Sequence, residues 1–214
     1  MLLRKGNYAN ADILRCGQFI IKTFSNKNYF IKYSIGRFLI YREYKAIMAL
    51  NQIENFKRQC VKKKFSLKIE YLEGVTLSEH FKNRHLIEEE SLLALEKDIK
   101  SMHALGYVHL DIRNAKNLIV TPSKKICIID FQSAIKLNKF IPIKLQKLLQ
   151  NIDLSAVMKF WNKGCNSAYP REDELRKYIY FLKFWPFKGY PFKKAKTKLK
   201  TVFRALLRGN SSLK

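Results

Sequence analysis

Apolar positions along this chain change their period several times. Residues 18–23 and 29–33 are short runs rich in Ile, Phe and Tyr, separated by Ser25, Asn26, Lys27 and Asn28, the pattern of two strands joined by a turn. From Gly36 onward, Phe38, Leu39, Tyr41, Tyr44, Ile47, Met48 and Leu50 recur at helical spacing, so a helix carrying Glu43 is predicted to follow that hairpin. A further strand is predicted over residues 65–71, closing on Leu72, Glu73 and Gly74, and a helical stretch over residues 76–81. Residues 88–105 place Leu92, Leu93, Leu95, Ile99, Met102 and Leu105 on one face, with acids at the start and Gly106 at the stop, as the helix dipole and C-cap rules require. Residues 118–120 and 126–129 bracket Thr121, Pro122 and Ser123, giving a second hairpin that presents Asp130 at its exit.

These elements divide the chain at Gly74. Residues 1–74 are expected to form a small sheet with one helix, residues 75–174 a mainly helical unit, and residues 175–214 a basic, aromatic tail. At 214 residues, 47% hydrophobic and 13% aromatic, the chain is long and apolar enough to bury a core, which excludes a disordered protein. A formal net charge of +25 repels itself and points to an anionic partner: nucleic acid, acidic lipid or phosphorylated glycolipid. The charge is uneven, since no Asp or Glu follows Glu174. In the tail, Leu199, Val202, Phe203, Leu206 and Leu207 make an apolar helical face among Lys198, Lys200, Arg204 and Arg208, the build either of a helix lying on anionic lipid or of one docked on the preceding helical unit with its lysines in water. Phe184, Trp185, Phe187, Tyr190 and Phe192 precede it and suit either a headgroup belt or stacking on single-stranded RNA. Cys16, Cys60, Cys127 and Cys165 form no C-x-x-C pair, so neither a zinc site nor a disulfide framework is indicated. No signal-peptide core and no run near the ~20 apolar residues of a membrane span is present, so the expected location is the cytoplasm, in solution or on the inner face of the membrane.

The chemistry is concentrated between Tyr107 and Ala134, YVHLDIRNAKNLIVTPSKKICIIDFQSA. Phosphoryl transfer needs a carboxylate beside the attacking hydroxyl, then an amide and a second carboxylate to hold Mg²⁺ against nucleotide phosphates. Asp111, Asn117 and Asp130 suit those three roles. The pattern resembles the protein-kinase-like superfamily, with His109-Leu110-Asp111 as its H-x-D and Asp130-Phe131 as its Asp-Phe dipeptide. The resemblance implies an α+β, bilobal protein-kinase-like fold and a kinase that binds ATP and Mg²⁺. By the same resemblance Asp111 orients or deprotonates the acceptor hydroxyl, Arg113 neutralises the transferred phosphate, and Asn117 and Asp130 are metal ligands. His109 braces the loop beneath Phe131. Upstream, Lys32 is similar to the ATP-anchoring lysine, Glu43 to its ion-pair partner, and the segment from Glu70 through Leu72 to the hinge that binds adenine.

This chain departs from the common pattern in four places. Asp111 and Asn117 are six residues apart, one more than usual; Gln132 replaces the Gly of D-F-G; no A-P-E follows; and only Gly17 stands where a glycine-rich loop belongs. These departures point to small atypical bacterial members, resembling the lipopolysaccharide kinase-like and RIO-like kinases. The resemblance implies transfer of the ATP γ-phosphate to a hydroxyl of a lipopolysaccharide-core sugar or other glycolipid. A RIO-like protein kinase or ATPase acting near RNA, with a protein substrate, is the alternative; a pseudokinase scaffold is a third reading.

Overall fold

The computed structural model describes residues 1–8, 10–176 and 178. The amphipathic tail helix and aromatic run expected beyond residue 178 lie outside the described residues.

Five short strands form an antiparallel sheet in the order β1-β2-β3-β5-β4: β1 (Leu2–Arg4), β2 (Asp12–Cys16), β3 (Phe19–Thr23), β4 (Cys60–Lys62) and β5 (Ser66–Glu70). β2 and β3 turn on two residues, Gly17 and Gln18, with Gly17 at φ +58° where a side chain is disfavoured. β3 is central, with Ile20 opposite Arg15 of β2 and Ile69 of β5.

Residues 29–33, expected as a strand, are helical. α1 (Tyr29–Ile31) opens on Asn28, whose Oδ1 accepts from the Ile31 amide at 2.9 Å, and a π-helical turn (Lys32–Gly36) leads into α2 (Arg37–Leu50). The apolar run misled because its side chains divide by helical rather than strand geometry: Ile31 is buried while Tyr29 and Phe30 face water. The hairpin partner of β3 is therefore β2. Gly36 is required where this helix crosses Phe24, since a Cβ there would come within 2.7 Å of that ring.

Beyond β5 the chain enters β6 (Val75–Thr76), α3 (Leu77–Lys82), capped by the Thr76 hydroxyl, and α4 (Glu89–Ala104). A Cβ on Gly74 would lie 2.3 Å from the Val120 carbonyl oxygen, so only glycine lets the linker pass that close to the hairpin below. β7 (Tyr107–Val108), β8 (Leu118–Val120), β9 (Ile126–Ile128) and β10 (Ile135–Lys136) follow, pairing as β6-β8-β9 and β7-β10. α5 (Ile143–Gly164) packs along α4. One connected buried cluster runs from Phe24, Ile31 and Leu67 through Leu92, Leu95 and Phe131 to Phe160 and Trp161. A smaller one, Val108, Leu137, Leu149 and Ile152, anchors α5 beneath β7. No helix among the described residues is long and apolar enough to cross a membrane.

Candidate active site

The site gathers where β3, α2 and the loops after β7 and β9 meet. Lys22, near the end of β3, points into the protein and binds two carboxylates at once: Glu43 Oε1 at 2.6 Å and Asp130 Oδ1 at 2.8 Å. Burial acts to lower the Lys22 pKa, but Asp130 and Glu43 outweigh it and raise it to about 12, so the ammonium is permanent at neutral pH. Asp130 is also pushed up by burial, yet the Lys22 charge prevails and holds it below the ordinary Asp value. Glu43 goes the other way: burial dominates, Asp130 repels it, and its pKa is raised despite Lys22. Its Oε2 is sealed without a hydrogen bond. The Gln132 side chain, where D-F-G would have Gly, approaches Glu43 and partly offsets the burial.

This geometry corrects the placement of the lysine. Lys32 does not pair with Glu43; it starts the π-helical turn, and its ammonium lies 4.5 Å above the Phe65 ring. The two lysines have similar neighbours in sequence, Phe-Ile-Ile-Lys and Phe-Ile-Lys, but only Lys22 sits on a strand of the sheet facing α2.

Two non-glycine residues of the site have left-handed backbone, Leu110 at φ +66° and Asp130 at φ +65°. For a bulky residue such as Leu this conformation is strained by roughly 1–2 kcal/mol. It is held by Asp153 of α5, whose carboxylate accepts from the His109 amide at 2.7 Å and the Leu110 amide at 2.8 Å, with His103 Nε2 at 3.2 Å. The Asp111 amide donates to His109 Nδ1 at 3.3 Å, which leaves the ring proton on Nε2 to donate to the Ile129 carbonyl at 3.1 Å. The Phe131 ring meets His109 edge-on at 5.1 Å, and Ser133 Oγ donates to the His109 carbonyl at 2.7 Å. His109 thus ties the segment before Asp111 to the segment before Asp130.

Asp111 and Asn117 are brought together by the short 3₁₀ turn Ala115–Asn117. Asn117 Nδ2 donates to Asp111 Oδ2 at 2.7 Å and to the Asp111 carbonyl at 3.1 Å, while Asn114 Nδ2 reaches Oδ2 at 3.4 Å. Burial raises the Asp111 pKa, the two amides oppose that, and the Asp130 charge adds to it. A carboxylate raised in this way is better suited to take a proton than an exposed one.

With Nδ2 committed to Asp111, Asn117 keeps its amide oxygen as a donor for a cation, and Asp130 keeps its second carboxylate oxygen, its side chain being 30% exposed. Among the described residues no three His, Cys, Asp or Glu side chains converge as a metal cage. Two hard oxygen donors, the Asn117 amide oxygen and the second Asp130 carboxylate oxygen, suit a cation such as Mg²⁺, which takes few protein oxygens beside phosphate oxygens and water.

The Arg113 guanidinium is turned to α5. Its Nη1 donates to the Ser155 carbonyl at 2.7 Å and the Ser155 hydroxyl at 2.8 Å, which fixes it against α5. Lys159, absent from the sequence reading, donates to the Arg113 carbonyl at 2.6 Å and interacts electrostatically with Asp111, Arg113 and Lys163. Glu70 ends β5, and its carboxylate accepts from the Gln59 amide at 2.9 Å; Leu72 lies half-buried in the linker beyond. Tyr71, between them, donates its amide to the Gln18 carbonyl at 2.8 Å and carries the Arg15 guanidinium 4.0 Å above its ring.

No family model matches the chain, and no curated protein matches it in sequence. Among solved structures its fold is similar to that of WbdD in a co-crystal with the kinase inhibitor LY294002. That match has a TM-score of 0.50 and 14% identity, covering 82% of this chain and 49% of WbdD. The chain thus spans about half the length of that structure, and the likeness is one of fold. It places the mixed α/β architecture described above beside a protein crystallised with a kinase inhibitor.

Proposed function

We propose that this protein is an ATP- and Mg²⁺-dependent phosphotransferase that moves the γ-phosphate of ATP to a hydroxyl. The observation that carries this reading is Lys22 bridging Glu43 and Asp130 while Asp111 and Asn117 are hydrogen-bonded beside them. Mg²⁺, when bound, would supply positive charge against the negative charge that develops during transfer. Asp130 and Asn117 would hold it. Lys22 fixes the direction of the Asp130 carboxylate and offers its own charge to the nucleotide phosphates. Asp111 orients the acceptor hydroxyl and receives its proton at Oδ1 or Oδ2, aided by its raised pKa. The backbone of the linker from Glu70 to Leu72 would receive the adenine.

The acceptor side is cationic. Lys159 lies within electrostatic reach of Asp111 and of the cations Arg113 and Lys163, which favours an acceptor that carries its own negative charge, such as a lipopolysaccharide-core sugar or another glycolipid. The test is transfer of label from [γ-³²P]ATP with Mg²⁺ and an envelope-lipid extract, comparing wild type with Asp111→Asn and Asp130→Asn. Label in a lipid fraction only when both carboxylates are intact supports the reading. Label on protein would favour the RIO-like alternative. Nucleotide binding without transfer to lipid, protein or water would leave a pseudokinase.

A further inference from the structure

We propose that the outer face of the helix running from Tyr29 to Leu50, together with the β4–β5 hairpin, docks on an anionic membrane surface. This inference is independent of phosphotransfer and uses residues outside the site described above.

An open groove of about 430 Å³ lies between α2 and the hairpin, walled by Tyr33, Phe38 and Tyr41 and rimmed by Arg37, Lys62, Lys63 and Lys64. Its aromatic side chains are unusually open to solvent: Phe38 is 58% exposed, Tyr41 50%, and Tyr29, stacked on Tyr33 at 4.4 Å, 76%. Within the helix and the paired part of the hairpin no solvent-facing acid balances these cations. Glu43 is the only acid in residues 24–52, and it is buried under Lys22; residues 59–69 contain none.

Charge selects the occupant. The chain beyond Glu174 has no Asp or Glu, so it offers the rim no opposite charge. A second copy carries +25 and is repelled. Between anionic surfaces, ring geometry decides. Lys64 lies 5.5 Å from the centre of Tyr33, Lys62 5.5 Å from that of Tyr41, and Arg42 5.3 Å from that of Phe38. Base stacking needs a free ring face, and Tyr33 already carries Tyr29 stacked on it with Lys64 nearby, while Tyr41 has both Lys45 and Lys62 within 5.6 Å of its centre. Exposed aromatic side chains flanked by Lys and Arg are instead suited to the headgroup layer of an acidic bilayer.

The test is co-sedimentation of the full chain with vesicles of phosphatidylcholine alone or mixed with phosphatidylglycerol. Wild type is expected to bind only the anionic vesicles. The triple change Lys62→Gln, Lys63→Gln, Lys64→Gln should weaken that partition on the order of a hundredfold, because each surface cation near an acidic leaflet contributes about fivefold. Phe38→Ser with Tyr41→Ser should weaken it about tenfold at unchanged charge. Thermal unfolding checks that the variants fold; the lysines, exposed at the hairpin, keep the test decisive if the aromatic variant does not. Unchanged binding of the lysine variant overturns the proposal and moves the contact elsewhere, the basic tail included. A lysine effect with no aromatic effect, accompanied by parallel loss of binding to a single-stranded oligonucleotide or to polyglutamate, would also overturn it in favour of a nucleic-acid or acidic-peptide surface.

Discussion

Asp153 and Asp130, two of the three aspartates of this site, are held in opposite ways. Asp153 is fully buried, and both its oxygens are used by the His109 and Leu110 amides and by His103. Asp130 is partly open, with one oxygen on Lys22 and the other free to meet a ligand. A carboxylate sealed by backbone donors has no capacity left for chemistry; it keeps Leu110 in its strained conformation and so aims Asp111. A carboxylate anchored at one oxygen is already oriented and still able to bind. The site is thus built from one acid that positions and one that is available, joined through the His109 ring.

The sharpest way to break this contrast is Asp153→Ala. It leaves two buried amides without acceptors and should lower unfolding free energy by about 3–5 kcal/mol in urea titration, taking any activity with it. Lys22→Met comes next, because it strands Glu43 in the interior; a loss of about 2–4 kcal/mol is expected at neutral pH. Burial already raises the Glu43 pKa, so without Lys22 the folded state binds a proton more tightly than the unfolded chain does. The destabilisation should therefore shrink as pH falls toward the unfolded value of 4.5, and Glu43→Gln in the same background should recover most of it. In wild type the raised Lys22 pKa means that its contribution is complete below pH 10.5 and lost as pH rises through about 12.

Asp130→Asn should separate the two roles. Lys22 keeps Glu43, so stability should fall by only about 1–2 kcal/mol, while Mg²⁺-dependent transfer falls about a hundredfold or more. Smallest is Asn114→Ala, which removes a 3.4 Å bond that holds the Asp111 pKa down. The acidic limb of the pH–rate profile should move to slightly higher pH with no change in Mg²⁺ affinity.

Much of this arrangement is legible in the residues themselves. Asp111, Asn117, Asp130 and Phe131 lie within one short stretch, and the hairpin between them is announced by Thr121-Pro122-Ser123 between apolar runs. The helix carrying Glu43 and the helix from Glu89 to Ala104 follow from their periodicity. Lys22 was not legible in the same way, because Lys32 also follows Phe and Ile and lies nearer to Glu43 in sequence. What separates them is Asn28, a helix cap hidden in a turn-like Ser-Asn-Lys-Asn, which makes residues 29–33 helical and leaves β3 to supply the lysine. Asp153 and Lys159 were missed for another reason. They reach the site from α5, tens of residues along the chain, and tertiary contact of that kind leaves no local spacing to read.

The central claim is that Lys22, Glu43 and Asp130 form the nucleotide-anchoring centre. Calorimetric titration with ATP and Mg²⁺ tests it most directly, comparing wild type with Lys22→Met and Lys32→Met. Among the described residues the Lys32 side chain contributes its contact with Phe65, worth less than about 1 kcal/mol, so its variant should remain folded and bind nucleotide as wild type does. Lys22→Met, measured below its unfolding midpoint, should lose tenfold or more in affinity. Equal binding by wild type and Lys22→Met, or loss confined to Lys32→Met, would contradict the claim.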